Sequence, residues 1–327
     1  MDFHLNYTPK ESPVKISHQD KIVMIGSCFA EEIGAKLKAN KFNCLINPNG
    51  ILFNPQSIAT ALHSYMHPDD YALQLGENNG LHFSFDHHGS FSSPDKMELE
   101  TNIKNSIREA HDFLKEAKIL VITLGSAFVY RRTGTSKIVA NCHKLPQDQF
   151  LKGLLNTNDI TGILQHLLNE LRDFNSKLRI IYTISPVKYL RDGLVENNLS
   201  KAMLIQAVHQ AVNSTSNPKS TLETYFPAYE LVVDDLRDYR FYKEDMAHPN
   251  EQAITYVWEK FSDCYFSETT KQLNKKINDI VLASSHRPIH DASAEHKQFK
   301  KNYFQKCEQL EKEFSFLNLE NEKIKFQ

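Results

Sequence analysis

The sequence predicts an α/β fold: a three-layer α/β/α sandwich around a parallel sheet, followed by a C-terminal helical extension. Three short apolar runs are typical of parallel strands that are buried on both faces: Lys21–Ile25, Ile119–Thr123 and Leu178–Ile184. Segments with helical periodicity separate these runs. The alternation of strands and helices favours a parallel sheet that is covered by helices on both sides.

The predicted helices lie between and after these strands. Ile103, Ile107, Ala110 and Leu114 share one face of a helix, as expected where a helix packs on a sheet. A further, weaker strand is expected at Tyr229–Val233. The helices are predicted at Ala30–Ala39, Ile103–Ala117, Ile160–Phe174, Leu199–Asn213 and Glu251–Phe261.

Two regions depart from this alternation. Residues 66–100 are rich in His, Gly, Asn and Ser and are predicted to form a long loop or a small hairpin inserted above the sheet. From about Thr269 the chain becomes rich in Lys, Glu and Gln and keeps a helical pattern, with a break at residues 286–288. We therefore predict a main domain at residues 1–267 and a helical extension at residues 268–327, whose amphipathic helices are candidates for self-association.

Composition limits the possible partners. The formal net charge of the 327 residues is -2, which gives no field that would draw the chain to nucleic acid or to an anionic membrane. No apolar run is long enough to span a membrane, and the N-terminus lacks the pattern of a secretory signal. The five cysteines are scattered without a CxxC pair, which is typical of free thiols. We expect a cytoplasmic protein that binds neither nucleic acid nor membrane.

The first predicted strand ends in a turn that carries two potential nucleophiles, Ser27 and Cys28, directly after Gly26. Ligands of open parallel sheets bind at the carboxyl ends of the strands. The following helix supplies unpaired backbone N–H groups and partial positive charge there. An alternative is that Ser27 only caps the helix. Cys28 is the rival nucleophile, although we expect it to pack under the helix.

A candidate base lies near the far end of the main domain. Asp245 stands three residues before His248, ahead of the last predicted helix of the domain. An Asp at this spacing can hold the imidazole in the tautomer that accepts a proton from a serine. The alternative is a loop Asp beside a surface His.

These motifs and several others occur in an order that resembles the GSCFA family, a branch similar to the SGNH/GDSL hydrolases. The resemblance covers roughly residues 20–265, and "SHRP" at residues 285–288 extends it. The matching motifs are "GSCFA" (26–30), "NPNGILFNP" (47–55), "TLGSAFVY" (123–130), "VANCHKLP" (139–146), "ISPV" (184–187), "YFPAYE" (225–230) and "EDMAHP" (244–249).

The resemblance implies an SGNH-hydrolase, flavodoxin-like catalytic domain and a serine-dependent carboxylester hydrolase. The substrate would be a small-molecule or glycan ester, such as an O-acylated carbohydrate. Ser27 would attack the ester carbonyl and form an acyl-serine, with His248 as base and Asp245 orienting it. The oxyanion hole would use backbone N–H groups of Ser27 and Gly50.

One position departs from the SGNH pattern. Ala127 stands where those enzymes carry an oxyanion-binding Asn, and the Ser126 hydroxyl is the candidate replacement. Asn141 and His143 are further candidates, because their segment follows shortly after. Two alternatives stay open: an O-acyltransferase that acts on a glycan, and a catalytically inactive carbohydrate-binding relative.

Other polar residues are candidates for the rim of the site. His87 or His88 would line the mouth of the pocket. Arg191 and the pair Arg131-Arg132 are candidates for contact with an anionic substrate group, although the favoured alternative is that they are solvated loop charges. His82, His87 and His88 lie near Asp86 but lack the spacing of metal ligands, so we predict no metal and no cofactor.

Overall fold

The computed structural model describes residues 5–213, 223–286 and 293–327, with a five-stranded parallel sheet at its centre. The strands of the chain are β1 (Ile22–Gly26), β2 (Cys44–Ile46), β3 (Leu75–Asn78), β4 (Leu81–Ser84), β5 (Ser92–Ser93), β6 (Ile119–Leu124), β7 (Phe128–Arg132), β8 (Ile138–Val139), β9 (Phe150–Leu154), β10 (Arg179–Ile184) and β11 (Glu223–Phe226). The central sheet has the order β2-β1-β6-β10-β11, and all neighbours in it are parallel. This is the strand order of flavodoxin-like folds, as predicted.

Helices cover both faces of the central sheet. They are α1 (Cys28–Ala39), α2 (Pro55–Met66), α3 (Lys96–Glu116), α4 (Thr157–Phe174), α5 (Leu194–Asn213), α6 (Ala228–Glu230), α7 (Glu251–Tyr265), α8 (Glu268–Ser284), α9 (Ala294–Glu313) and α10 (Glu320–Phe326). Val23 and Ile25 of β1 belong to the core formed with α2 to α5, whereas Ile22 and Met24 face α1 and α7. The three-layer sandwich is therefore confirmed. Among the described helices, none is long and apolar enough to cross a bilayer.

One predicted strand is wrong. Residues 229–233 lie in α6 and in the π-helical segment Leu231–Leu236, and the edge strand is β11, just before them. A short apolar run fits a buried helix as well as a buried strand. Leu231 and Val232 are both fully buried in the core on the side of α1 and α7, which explains the misleading pattern.

Two small antiparallel sheets are inserted into the sandwich. The first, β3-β4-β5, lies in the predicted insertion at residues 66–100, whose end already belongs to α3. The second, β8-β7-β9, was not predicted. Phe83 and Phe85 of the first insertion pack against Val139 and Phe150 of the second, so the two insertions share one small core.

The C-terminal helices have a core of their own. Ser267 caps α8, and the apolar side chains of α8 to α10 pack together, including Ile277, Cys307 and Leu319. Lys41 of the main domain donates to both carboxylate oxygens of Glu322, at 2.7 and 2.8 Å. The division at residue 267 and the self-association of this extension stay predictions. Of the predicted break, residues 287 and 288 lie outside the described ranges.

Candidate active site

The turn between β1 and α1 is fixed by backbone contacts. Gly26 has φ +140°, and a Cβ there would lie 2.1 Å from the carbonyl oxygen of Thr123, so only glycine fits. Ser27 donates its N–H to that carbonyl oxygen at 3.1 Å. Its Oγ accepts the N–H of Phe29 at 3.3 Å and caps α1. The Ser27 residue has no exposed surface in this conformation.

Cys28 is the first residue of α1 and, unlike Ser27, is partly exposed. Burial raises the pKa of its thiol, and the carboxylates of Glu31 and Glu32 on the same helix raise it further. The thiol therefore stays protonated at neutral pH and needs a base before it can act as a nucleophile. As the first residue of the helix, Cys28 also presents a backbone N–H that has no acceptor within α1.

Asp245 and His248 form the predicted pair. Asp245 Oδ2 lies 2.6 Å from His248 Nδ1, and Oδ1 accepts the backbone N–H groups of Ala247 and His248, both at 2.9 Å. The N–H of His248 is the largest cause that lowers the pKa of the carboxyl group to about 2, followed by that of Ala247. Both side chains are about half exposed, at 49% and 43%. A permanently ionised Asp245 thus keeps the proton on Nδ1 and leaves Nε2 free to accept one.

Ion pairs fasten the loop of this pair to α1. Lys243 Nζ lies 3.1 Å from Glu32 Oε1, and Lys36 of α1 pairs with Glu251 at the start of α7. The loop therefore lies beside the helix that begins with the two nucleophiles. In the described part of the chain, no hydrogen bond joins His248 to Ser27 or Cys28.

Three backbone N–H groups that could serve as oxyanion donors, those of Ser27, Gly50 and Ser126, already have acceptors in this conformation. The N–H of Gly50 donates to Asn47 O at 2.7 Å, and the N–H of Ser126 donates to Phe53 O at 3.0 Å. The Ser126 hydroxyl accepts the N–H of Phe128 at 3.1 Å. Because the Ser27 N–H is engaged as well, an oxyanion would have to displace existing bonds, use the N–H of Cys28, or accept the O–H of Ser126, which otherwise lies 3.4 Å from Ser200 Oγ.

Lys201 of α5 is a residue of this region that sequence reasoning missed. Only 1% of it is exposed, and Nζ donates to the carbonyl oxygens of Gly125 and Ser185, each at 2.6 Å. These carbonyls directly follow β6 and β10 at the carboxyl edge of the sheet. Burial lowers the pKa of Lys201 to about 7. A neutral amine has two N–H groups, one for each of the two carbonyl oxygens. Its lone pair can still accept a hydrogen bond or a proton.

The spacing of the apolar and polar residues along α5 indicates that Lys201 is buried. Asn197, Lys201, Leu204 and Val208 recur at intervals of three or four, and all four are buried. A lysine in such a register lies on the buried face of a helix. Because lysines are almost never fully buried unless they have a polar partner, a lysine on the buried face of α5 indicates polar contacts inside the fold.

Tyr189 lies above Lys201. Its ring centre is 5.1 Å from Lys201 Nζ, and its buried hydroxyl has no hydrogen-bond partner in the described structure. A Cβ at Gly125 would lie 2.2 Å from this hydroxyl, so the tight approach requires glycine. Burial raises the pKa of Tyr189, and the phenol therefore stays protonated.

Several predicted rim residues come together on one wall. A Cβ at Gly50 would lie 2.4 Å from the Cβ of His88, and one at Gly89 would lie 3.6 Å from Asn141 Nδ2. Asn141 Oδ1 accepts the N–H of His143 at 2.8 Å. Arg191 is exposed and lies near Cys142. Burial raises the pKa of the Cys142 thiol, and the positive charge of Arg191 lowers it by a smaller amount.

His87, the other residue predicted at the pocket mouth, is packed inside the first insertion, and Asp86 and Arg132 make contacts of their own there. His87 has no exposed surface, its Nδ1 lies 2.8 Å from Ser84 Oγ, and burial lowers its pKa to about 3. A substrate therefore cannot touch His87 in this conformation. Asp86 accepts the Tyr71 hydroxyl at 2.7 Å, and Arg132 stacks 4.5 Å from the ring of Phe85.

Comparisons with known protein families give two matches. The family model described as "GSCFA family" matches residues 21–261. The model described as "GSCFA domain protein, C-terminal domain" matches residues 277–327. No curated protein matches the sequence.

Solved structures with a similar fold are remote. One is a carbohydrate esterase family 3 protein from Talaromyces cellulolyticus, with 9% identity, a TM-score of 0.36 and coverage of 80% of this chain and 99% of that one. An acetyl xylan esterase from Butyrivibrio proteoclasticus has 11% identity and a TM-score of 0.37, over 81% of this chain and 65% of that one. A family two carbohydrate esterase from Clostridium thermocellum, in complex with cellohexaose, has 11% identity and a TM-score of 0.34, over 83% and 66%. TM-scores this low carry no argument about activity.

Proposed function

The chain belongs to the GSCFA family, and we propose that it is a carboxylester hydrolase that carries the acyl group on its β1–α1 turn. The Asp245–His248 pair is the observation that carries the proposal. Its 2.6 Å contact holds the proton on Nδ1 and presents Nε2 as a general base. One ion pair joins Lys243 of this loop to α1 and a second joins Glu251 of α7 to α1, which supports a position of the base beside the helix that begins at the turn.

The reaction takes two steps. A hydroxyl or thiol of the turn attacks the ester carbonyl while His248 Nε2 takes its proton. The tetrahedral intermediate collapses, and the imidazolium returns this proton to the leaving alcohol. A water molecule then attacks the acyl-enzyme with His248 again as base, which releases the carboxylic acid and regenerates the nucleophile.

Burial distinguishes the two candidate nucleophiles. Ser27 would have to leave the Phe29 N–H and become exposed before it could attack, because it is the cap of α1. Cys28 is partly exposed at the first position of the helix, and His248 would have to deprotonate its thiol, whose pKa burial raises. These observations favour the sulfur of Cys28 as the acylated atom. Ser27, the nucleophile predicted from the sequence, is the second candidate.

The substrate that suits the site is an ester of a hydroxyl-rich alcohol. The wall formed by His88 and Asn141 offers partly exposed polar groups, and Arg191 is exposed beside it. His143 belongs to the same wall, but its Nε2 already contacts the carbonyl oxygen of Ser84 at 2.8 Å. The partly exposed polar groups hydrogen-bond sugar hydroxyls more readily than they accommodate a long acyl chain. We therefore propose an O-acetylated carbohydrate as the substrate class.

A second candidate function is binding of such a carbohydrate without turnover. The observation that favours it is that the backbone N–H groups of Ser27, Gly50 and Ser126 are all engaged. Unless these bonds give way, the N–H of Cys28 and the hydroxyl of Ser126 remain for the oxyanion, and each missing donor removes about 3 kcal/mol of stabilisation in comparable sites.

Hydrolysis of p-nitrophenyl acetate and of acetylated xylo-oligosaccharides tests the proposal. We expect turnover by the full chain and a loss of roughly 10²–10⁴-fold in His248→Ala, since a general base contributes this much. His286→Ala, an exposed histidine in the extension, is the matched control. If the full chain binds the acetylated oligosaccharide without hydrolysing either ester, the binding function replaces the esterase.

A further inference from the structure

Two helices on the outside of the sandwich, α2 and α4, carry a cluster of histidine and glutamate side chains away from the candidate active site. His63 and His67 lie four residues apart at the C-terminal end of α2, and His166 and Glu170 lie four residues apart on α4. Residues at this spacing share one face of a helix. The two helices pack against each other in the same core, so their pairs face one another across the surface.

The distances within this cluster are close to those of a metal site. His63 Nδ1 lies 2.9 Å from Glu170 Oε1, and His166 Nε2 lies 3.7 Å from Glu170 Oε2. Ligand atoms of His63, His67 and Glu170 all lie within 4.8 Å of one another. Ligands of tetrahedral zinc are about 3.3 Å apart, given bonds of about 2.0 Å. The longest of these separations would have to shorten by up to about 1.5 Å, through the side chains of two exposed histidines and the partly buried Glu170, to close the site.

We propose that His63, His67 and Glu170 bind a divalent zinc-class cation, with His166 as the fourth ligand. Imidazole nitrogens together with one carboxylate are the donor set that zinc prefers, whereas calcium and magnesium require oxygen ligands. Among the residues that the structure describes, this is the one group in which three such ligand atoms converge. The spacing is visible in the sequence as "HSYMH" at residues 63–67 and "HLLNE" at residues 166–170.

The position of the site implies a structural role. The N-terminal end of α2 follows Phe53, whose carbonyl oxygen accepts the N–H groups of Gly125 and Ser126 near the candidate active site. His63 and His67 lie toward the opposite end of this helix, about 12 Å and about 18 Å from its first residue, Pro55. The bound cation would cross-link α2 to α4 and stabilise the fold without contacting the ester substrate.

Zinc titration of the full-length chain, stripped of metal with a chelator, tests the proposal. We expect one zinc per chain with micromolar or tighter affinity and a melting temperature that rises by roughly 5 °C at a hundredfold excess over the dissociation constant. Cobalt(II) should give the intense visible absorption of a tetrahedral site. His67→Ala should weaken zinc binding at least tenfold, and Glu170→Gln should do the same while keeping the polar contact to His63.

Two controls make the outcome decisive. His82→Ala, a histidine of the first insertion outside the cluster, should bind zinc as the unchanged chain does. His166→Ala should weaken zinc binding less than His67→Ala, as expected for the outermost ligand. The absence of stoichiometric zinc binding would overturn the proposal. So would a His63→Ala/His67→Ala double variant that folds and binds zinc as tightly as the unchanged chain.

Discussion

The buried lysine beneath the candidate site gives the structure's sharpest quantitative prediction. Lys201 has a pKa of about 7 in the fold, against 10.5 for an ordinary lysine. Between these values the unfolded chain binds a proton at this residue that the folded chain does not. The free energy of unfolding therefore rises with pH in this window, by about 1.4 kcal/mol per pH unit, and loses this dependence below pH 7 and above pH 10.5.

Replacement of Lys201 by Met removes this titration while keeping the length of the side chain. The variant loses the bonds to the carbonyls of Gly125 and Ser185, which lowers stability by a constant amount at every pH. The difference in stability between the unchanged chain and the variant should still change with pH. Between about pH 8 and about pH 9.5 it should grow by about 2 kcal/mol in favour of the unchanged chain.

Urea unfolding measures this difference, and the single tryptophan, Trp258, packs against Phe266 and reports on it by fluorescence. Lys177→Met, which removes an exposed lysine, controls for the loss of a positive charge. A difference between Lys201→Met and the unchanged chain that stays constant over this range would refute the reasoning, because it would mean that the folded chain holds Lys201 protonated.

Two further predictions concern the turn and the base. Asp245→Asn should lower ester hydrolysis roughly 10²–10⁴-fold in steady-state assays, because the amide no longer fixes the proton on Nδ1 of His248. Activity equal to that of the unchanged chain would remove Asp245 from the mechanism. Gly26→Ala should lower the free energy of unfolding by roughly 2–4 kcal/mol in urea titrations, because its Cβ would lie 2.1 Å from the Thr123 oxygen at φ +140°. A loss below about 0.5 kcal/mol would show that the turn relaxes easily.

The sheet could be predicted from the sequence because each central strand is apolar on both faces. β1, β6 and β10 were placed within one residue at each end. The edge strand was missed because β11 has the sequence ETYF, in which Glu223 pairs with Arg172 instead of continuing an apolar run. The more apolar segment after it belongs to a helix, and hydrophobicity alone could not separate the two.

The candidate site was predictable in its local motifs but not in its exposure. The three-residue spacing of Asp245 and His248 is enough to make their contact. Which of Ser27 and Cys28 faces solvent depends on how α1 packs against the rest of the molecule, and no local pattern encodes that. Lys201 was missed because a lysine is expected at the surface, and its burial depends on carbonyls more than a dozen residues away in the sequence.

A covalent acyl group on the β1–α1 turn is the central claim, and trapping it tests the claim most directly. The full chain is mixed with p-nitrophenyl acetate and quenched in acid within milliseconds, and its peptides are mapped by mass spectrometry. We predict one acetyl group on the peptide that contains Ser27 and Cys28, lost in His248→Ala and in Cys28→Ala but kept in Ser27→Ala. Hydrolysis of the ester by a protein whose turn peptide never carries an acetyl group would contradict the account.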